Sequence, residues 1–191
     1  MLQIVYFLFL LVLAPTVSAV EPERPEGTNC RLPAPPVPCQ NVAAETDWKD
    51  SDALLKAIDS YGARYVVWEV LKDWEKWDDV MEKISSGETR WIRIATLLYP
   101  ETDAGITSAL IITMAEALPN SPENVLPTIG QGFDLEDVCG FPFIEPEIPF
   151  LMDHYDRATL ALKRPLRPEL KEIQSKCIKE LNMQYVRIVK K

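Results

Sequence analysis

An all-α fold, a compact stack of antiparallel helices with short connections and disulfide staples, is what this 191-residue sequence predicts. Three observations carry that reading. Apolar side chains recur at three- and four-residue spacing in each apolar segment. No stretch alternates apolar and polar residues as a half-buried strand does. Prolines and glycines divide the chain into pieces of helix length. With 47% hydrophobic residues, one domain with a real core can form even after loss of a leader.

The organising stretch is 89–129. Trp91, Ile94, Ala95 and Leu98 share one helical face, and Pro100 blocks continuation. Thr102 or Asp103 is placed to cap the next helix, centred on Gly105–Leu118. Ile106, Leu110, Ile111, Met114, Ala117 and Leu118 form its main stripe, while Ile112 and Ala115 fill the other side. Glu116 is its only charge, so neighbours must cover it on more than one side. Pro119 ends it, and Ser121-Pro122 starts a short helix that presents Val125, Leu126 and Ile129. No repeat period is convincing, which leaves a solenoid as the minor alternative.

On the N-terminal side, Asp50–Ser60 predicts a helix with Leu54, Leu55 and Ile58 inward, followed by a break at Gly62. Ala63–Ser85 then predicts one long helix, with Val67, Val70, Trp74, Trp77, Met81 and Ile84 as its buried stripe. On the C-terminal side, Gly130 and Gly132 precede a short acidic turn, Asp134–Val138. A helix from about Phe150 to Leu162 turns Leu151, Tyr155, Ala158 and Leu162 inward. The last helix starts near Pro168 and carries Leu170, Ile173, Cys177, Leu181, Tyr185 and Ile188 on one face.

Residues 2–13 are almost continuously apolar, and Val17-Ser18-Ala19 presents small side chains, so residues 1–19 read as a secretory signal peptide. Its n-region contains no Lys or Arg. Residues 20–46 read as a proline-rich strap, with six prolines between Glu21 and Pro38, and residues 47–191 as one helical domain. Four cysteines in an exported chain imply two disulfides. Of the three pairings, the local one joins Cys30 to Cys39 and Cys139 to Cys177. The chain contains no glycosylation sequon, which favours a periplasmic or otherwise secreted location in a bacterium.

Charge is uneven. Residues 20–156 hold 10 basic and 26 acidic side chains, a net −16, whereas residues 157–191 hold 10 and 3, a net +7. The acidic body should repel nucleic acid, and the basic end balances it or touches a membrane surface. Metal, phosphate and nucleophile motifs are lacking, so the reading assigns no cofactor, no metal and no catalytic residue. His154 is the single histidine, between Asp153 and Tyr155 with Asp156 nearby, and is the only foothold for an alternative small envelope hydrolase.

The segment from Cys139 to Phe150 combines Pro142, Pro146 and Pro149 with Phe141, Phe143, Ile144, Ile148 and Phe150. It predicts either a lid over the helices or a preorganised protein-binding loop. Phe141, Phe143 and Ile144 would then supply apolar contact, and Glu145 and Glu147 would steer a basic partner. The leading expectation is a non-enzymatic exported binding protein, an inhibitor or immunity protein against an exported enzyme. A structural or interaction role in the cell envelope is the other non-enzymatic expectation.

Overall fold

The computed structural model describes residues 43–189. The leader, most of the strap and the expected Cys30–Cys39 bridge lie outside the described residues. Across the described residues the domain is all-helical, without a sheet, and is stapled by a Cys139–Cys177 disulfide. An isolated bridge between Ile129 and Phe133 closes the turn around Gly130 and Gly132.

Helix α1 spans Ser51–Tyr61. Its cap is Asp50, whose carboxylate accepts a hydrogen bond from the Asp52 amide at 2.9 Å. Leu54, Ala57 and Ile58 are buried, and α1 packs on α4 (Thr89–Leu98). Gly62 ends α1 at φ 89°, a conformation that costs glycine little and other residues more.

The single helix expected over Ala63–Ser85 is not formed. Helix α2 is only Ala63–Tyr65 and widens into a π-turn, Val66–Val70, closed by the Leu71 amide on the Val66 carbonyl at 2.8 Å. Helix α3 then restarts at Trp74 and runs to Ser85. The physical reason is angular. At about 100° per residue, a straight helix would carry Leu71 roughly 140° from Ile84, outside any one buried stripe. The break lets Val66, Val67, Val70 and Leu71 face the core together with Trp77, Val80 and Ile84. Trp74, expected in the stripe, instead stands 61% exposed, and Met81 is only half-buried. Lys76 compensates the break by donating its Nζ to the Val70 carbonyl at 2.9 Å.

The central helix, α5 (Ala104–Ala117), behaves as its composition requires. Asp103 caps it, accepting from the Ile106 amide at 3.0 Å. Leu110, Met114 and Ala115 are fully buried, as is Leu118 at its end. Helix α3 covers one side, and α6 (Pro122–Val125) and α7 (Leu135–Cys139) cover others. Burial of Glu116, the helix's lone charge, raises its carboxyl pKa above the ordinary value.

Two turns interlock at one end. Gly87 lies against Ser121 so closely that a Cβ would stand 2.6 Å from the serine Cβ. Asn124 donates to the Gly87 carbonyl and Asn120 to the Ser85 carbonyl, both at 2.8 Å. Arg157 of α8 (Ile148–Leu162) donates back to Asn120 at 3.1 Å. The last helix, α9 (Lys171–Val189), packs on α7 and α8. Its Gln174 amide reaches the Leu162 carbonyl at the end of α8.

Two outcomes check this frame. Replacing Cys139 and Cys177 with serine opens a 38-residue separation and should cost about 4 kcal/mol in urea unfolding. Gly87→Ala should destabilise the fold by more than 1 kcal/mol, through its φ of 78° and the contact with Ser121, while circular dichroism stays helical.

Candidate functional site

Residues 140–152 form the corner where α7, α8 and α9 meet. Asp134 and Asp137 form a capping box that starts α7, so this pair of carboxylates serves backbone amides. Cys139 ends the helix and bonds Cys177 of α9, with both sulfurs buried. Gly140 follows because a Cβ there would meet the Glu136 carbonyl oxygen at 2.2 Å. The chain then turns through two non-glycine residues with positive φ, Phe141 at 60° and Glu145 at 46°. Such conformations cost energy that surrounding structure must hold in place.

The holding structure is a cluster of rings around His154. That histidine is 4% exposed. The Phe141 and Phe143 rings meet it edge-on at 5.7 and 4.9 Å between centroids, and Phe150 stacks at 6.5 Å. Phe143 and Phe150 also meet in a T at 4.9 Å. Phe141 and Phe143 are therefore half-buried, each with one side in the molecule and one near solvent. Ile144 is 76% exposed, and Glu145 and Glu147 are exposed. Pro149 lies in the first turn of α8, which begins at Ile148, two residues earlier than the sequence predicts.

Outside the ring cluster the surface is apolar. Ile144, Ile148 and Met152 are exposed, and Phe150 keeps an exposed edge. Ile112 of α5 joins Phe143, Ile144, Pro146 and Phe150 around an open groove of about 340 Å³. Ile112 was expected as covered helix filling, and its place in this groove is visible only once α5 and the loop are brought together.

His154 faces no dyad. Asp153 turns to Arg157, 3.6 Å away, and no hydrogen bond joins His154 to Asp153 or Asp156 among the described residues. Burial, followed by the nearby Arg157 charge, pushes the imidazole down from 6.5 to about 4, so it is neutral at pH 7. No group of three or more His, Cys, Asp or Glu side chains is placed to hold a metal ion among the described residues.

A second feature escaped the sequence reading. Where α2 breaks, Trp68 and Trp74 stand 42% and 61% exposed on either side of a small cavity. Val67, Trp77 and Ile106 line it, with Lys72 and Asp103 supplying its charges. Heptad-like spacing placed Trp74 inside, and only the π-turn brings it out.

No protein-family model matches this chain, and no curated protein or solved structure matches it.

The histidine carries a sign that can be checked. Its folded pKa lies below the unfolded one, so the unfolded chain binds the extra proton first as pH falls. Stability should be full above about pH 6.5 and decline towards pH 4 by about 3 kcal/mol, levelling below. Urea unfolding at pH 7.5 and 4.5 measures the loss. A His154→Phe variant should reduce that pH dependence by the histidine's share.

Proposed function

We propose that this chain is an exported, non-enzymatic binding protein, and that its partner is a protein with a basic rim, of the kind an inhibitor or immunity protein blocks. The observation that supports the reading best is the open apolar groove that Ile112, Phe143, Ile144, Pro146 and Phe150 line on a braced corner. Large apolar side chains clustered in this way offer concentrated contact energy. The disulfide at Cys139 and the rings around His154 hold the backbone before any partner arrives, which lowers the entropic cost of association. Glu145, Glu147, Asp153 and Asp156 are exposed along the same segment and favour a cationic counterpart.

The hydrolase alternative draws less support. A base needs an open approach to its substrate, and His154 is enclosed by three phenylalanines. For contact with an anionic membrane surface, the favouring observation is the exposed Met183 and Val186 beside Lys179 and Arg187 on α9. No helix among the described residues is long and apolar enough to cross a membrane.

Ile144 is the clean probe, because it is exposed and outside the ring cluster. With the mature protein immobilised, Ile144→Asp should weaken capture of an exported partner by about 2 kcal/mol, roughly thirtyfold in Kd. Its melting temperature should stay within a few degrees of wild type. Phe143→Ala should lose both capture and stability, since Phe143 also packs on Phe150 and His154. Undiminished capture by Ile144→Asp removes this corner from the interface. A hydrolytic activity that His154→Ala abolishes without unfolding the protein transfers the case to the enzyme.

A further inference from the structure

The groove between Trp68 and Trp74 lies away from the proposed partner corner in sequence and is built by different elements, the π-turn, α3 and the start of α5. Three of the side chains that line it are tryptophans. Trp77 is buried and makes the floor with Val67 and Ile106, while Trp68 and Trp74 stand exposed at the rim. The tip of Trp74 lies over Gly105, where an added Cβ would meet its Cη2 at 4.0 Å. The slot encloses about 120 Å³. An apolar cavity of about 150 Å³ takes benzene, so this one suits a group of that bulk or slightly less.

Indoles gathered around one small space attract a cation, because the face of each ring carries the negative part of the aromatic quadrupole. A quaternary ammonium suits such walls better than a primary one. It has methyl groups in place of N–H donors, so an apolar lining leaves none of its hydrogen bonds unmade. Two charged side chains complete the lining, Lys72 and Asp103. Asp103 caps α5 through Oδ1, which accepts from the Ile106 amide at 3.0 Å, and its Oδ2 takes no hydrogen bond among the described residues. Lys72 is exposed and makes no ion pair among the described residues. A carboxylate open to a cation and an ammonium open to an anion call for a ligand that carries both charges. Glu69, Asp73 and Glu75 adjoin the two rim indoles in sequence and disfavour a ligand of net negative charge.

We propose that the Trp68–Trp74 slot binds a small zwitterion built on a trimethylammonium group, its quaternary head among the indoles beside Asp103 and its anionic end at Lys72. The backbone that carries the slot is held before any ligand arrives. The π-turn sets Trp68, the restart of α3 sets Trp74, and Lys76 ties the break between them to the Val70 carbonyl at 2.9 Å. Lys72 repels a bare cation, so the same residue that holds the anionic end selects against a simple tetraalkylammonium ion.

Titration of the protein with glycine betaine, read by calorimetry and by the indole N–H resonances of Trp68 and Trp74, tests the site. A Kd in the millimolar range is expected for so small a ligand. The tert-butylacetate anion has the same shape and carboxylate with carbon in place of nitrogen, and it should bind about tenfold more weakly. W68A/W74A should weaken glycine betaine by at least about tenfold, with melting within a few degrees because both indoles lie on the surface. Asp103→Asn keeps a helix cap and removes the charge, so it should weaken glycine betaine while circular dichroism is unchanged. Lys72→Gln should weaken glycine betaine and strengthen tetramethylammonium, a reversal that loss of folding cannot produce. No saturable binding of glycine betaine in the millimolar range, equal binding of tert-butylacetate, or binding unchanged in W68A/W74A overturns the proposal. Tetramethylammonium held as tightly as glycine betaine, with neither moved by Lys72→Gln, overturns the zwitterionic form. The Ile144 corner takes no part in these titrations, so the two proposals fail separately.

Discussion

The burial of α5 is the constraint on which the rest of the domain depends. A helix with apolar residues on nearly every face cannot sit at a surface, so other elements must surround it. Leu110, Met114 and Ala115 reach zero exposure because α3, α6 and α7 approach from different directions. That demand explains several secondary features. The interlocked turns at Gly87 and Ser121 bring α3 and α4 against the end of α5. The short proline-started α6 brings Val125 and Leu126 beneath it. The break after α2 also serves the core, since it turns Leu71 inward at the expense of exposing Trp74.

Much of this was legible in sequence because helical periodicity is a local property. The face of α4, the Asp103 cap, the Pro122 start and the Cys139–Cys177 staple all depend on residues within one or two turns, or on a pairing of few alternatives. The failure at Ala63–Ser85 has a specific cause. Both a straight helix and a broken one place Val70, Trp77 and Ile84 inward, so the stripe cannot distinguish them. What decides is whether Leu71 is also buried, and that depends on what packs opposite. The exposed pair Trp68 and Trp74 was hidden for the same reason.

The proline-aromatic corner was legible as a segment and ambiguous as a surface. Its composition suits a lid and a binding loop equally, and the geometry divides the residues between them. Phe141 and Phe143 brace His154 from within, while Ile144, Glu145 and Glu147 face outward. Composition could not make that division, because it follows from two positive-φ residues that alternate the direction of the chain. His154 gains its low pKa from the same rings, which no reading of its sequence neighbours Asp153 and Tyr155 would supply.

The position of the staple also bears on how the chain can be assembled. A polypeptide appears from its N-terminus, and the helices up to α7 are complete while Cys177 has yet to emerge. For that interval Cys139 is an unpaired thiol on an apolar surface that α9 has not covered. The order of synthesis therefore leaves the α7 face open last, and the closing helix is the one that carries the basic end of the chain. That helix and the acidic body it closes over carry opposite net charge, so long-range attraction favours their approach before any contact forms.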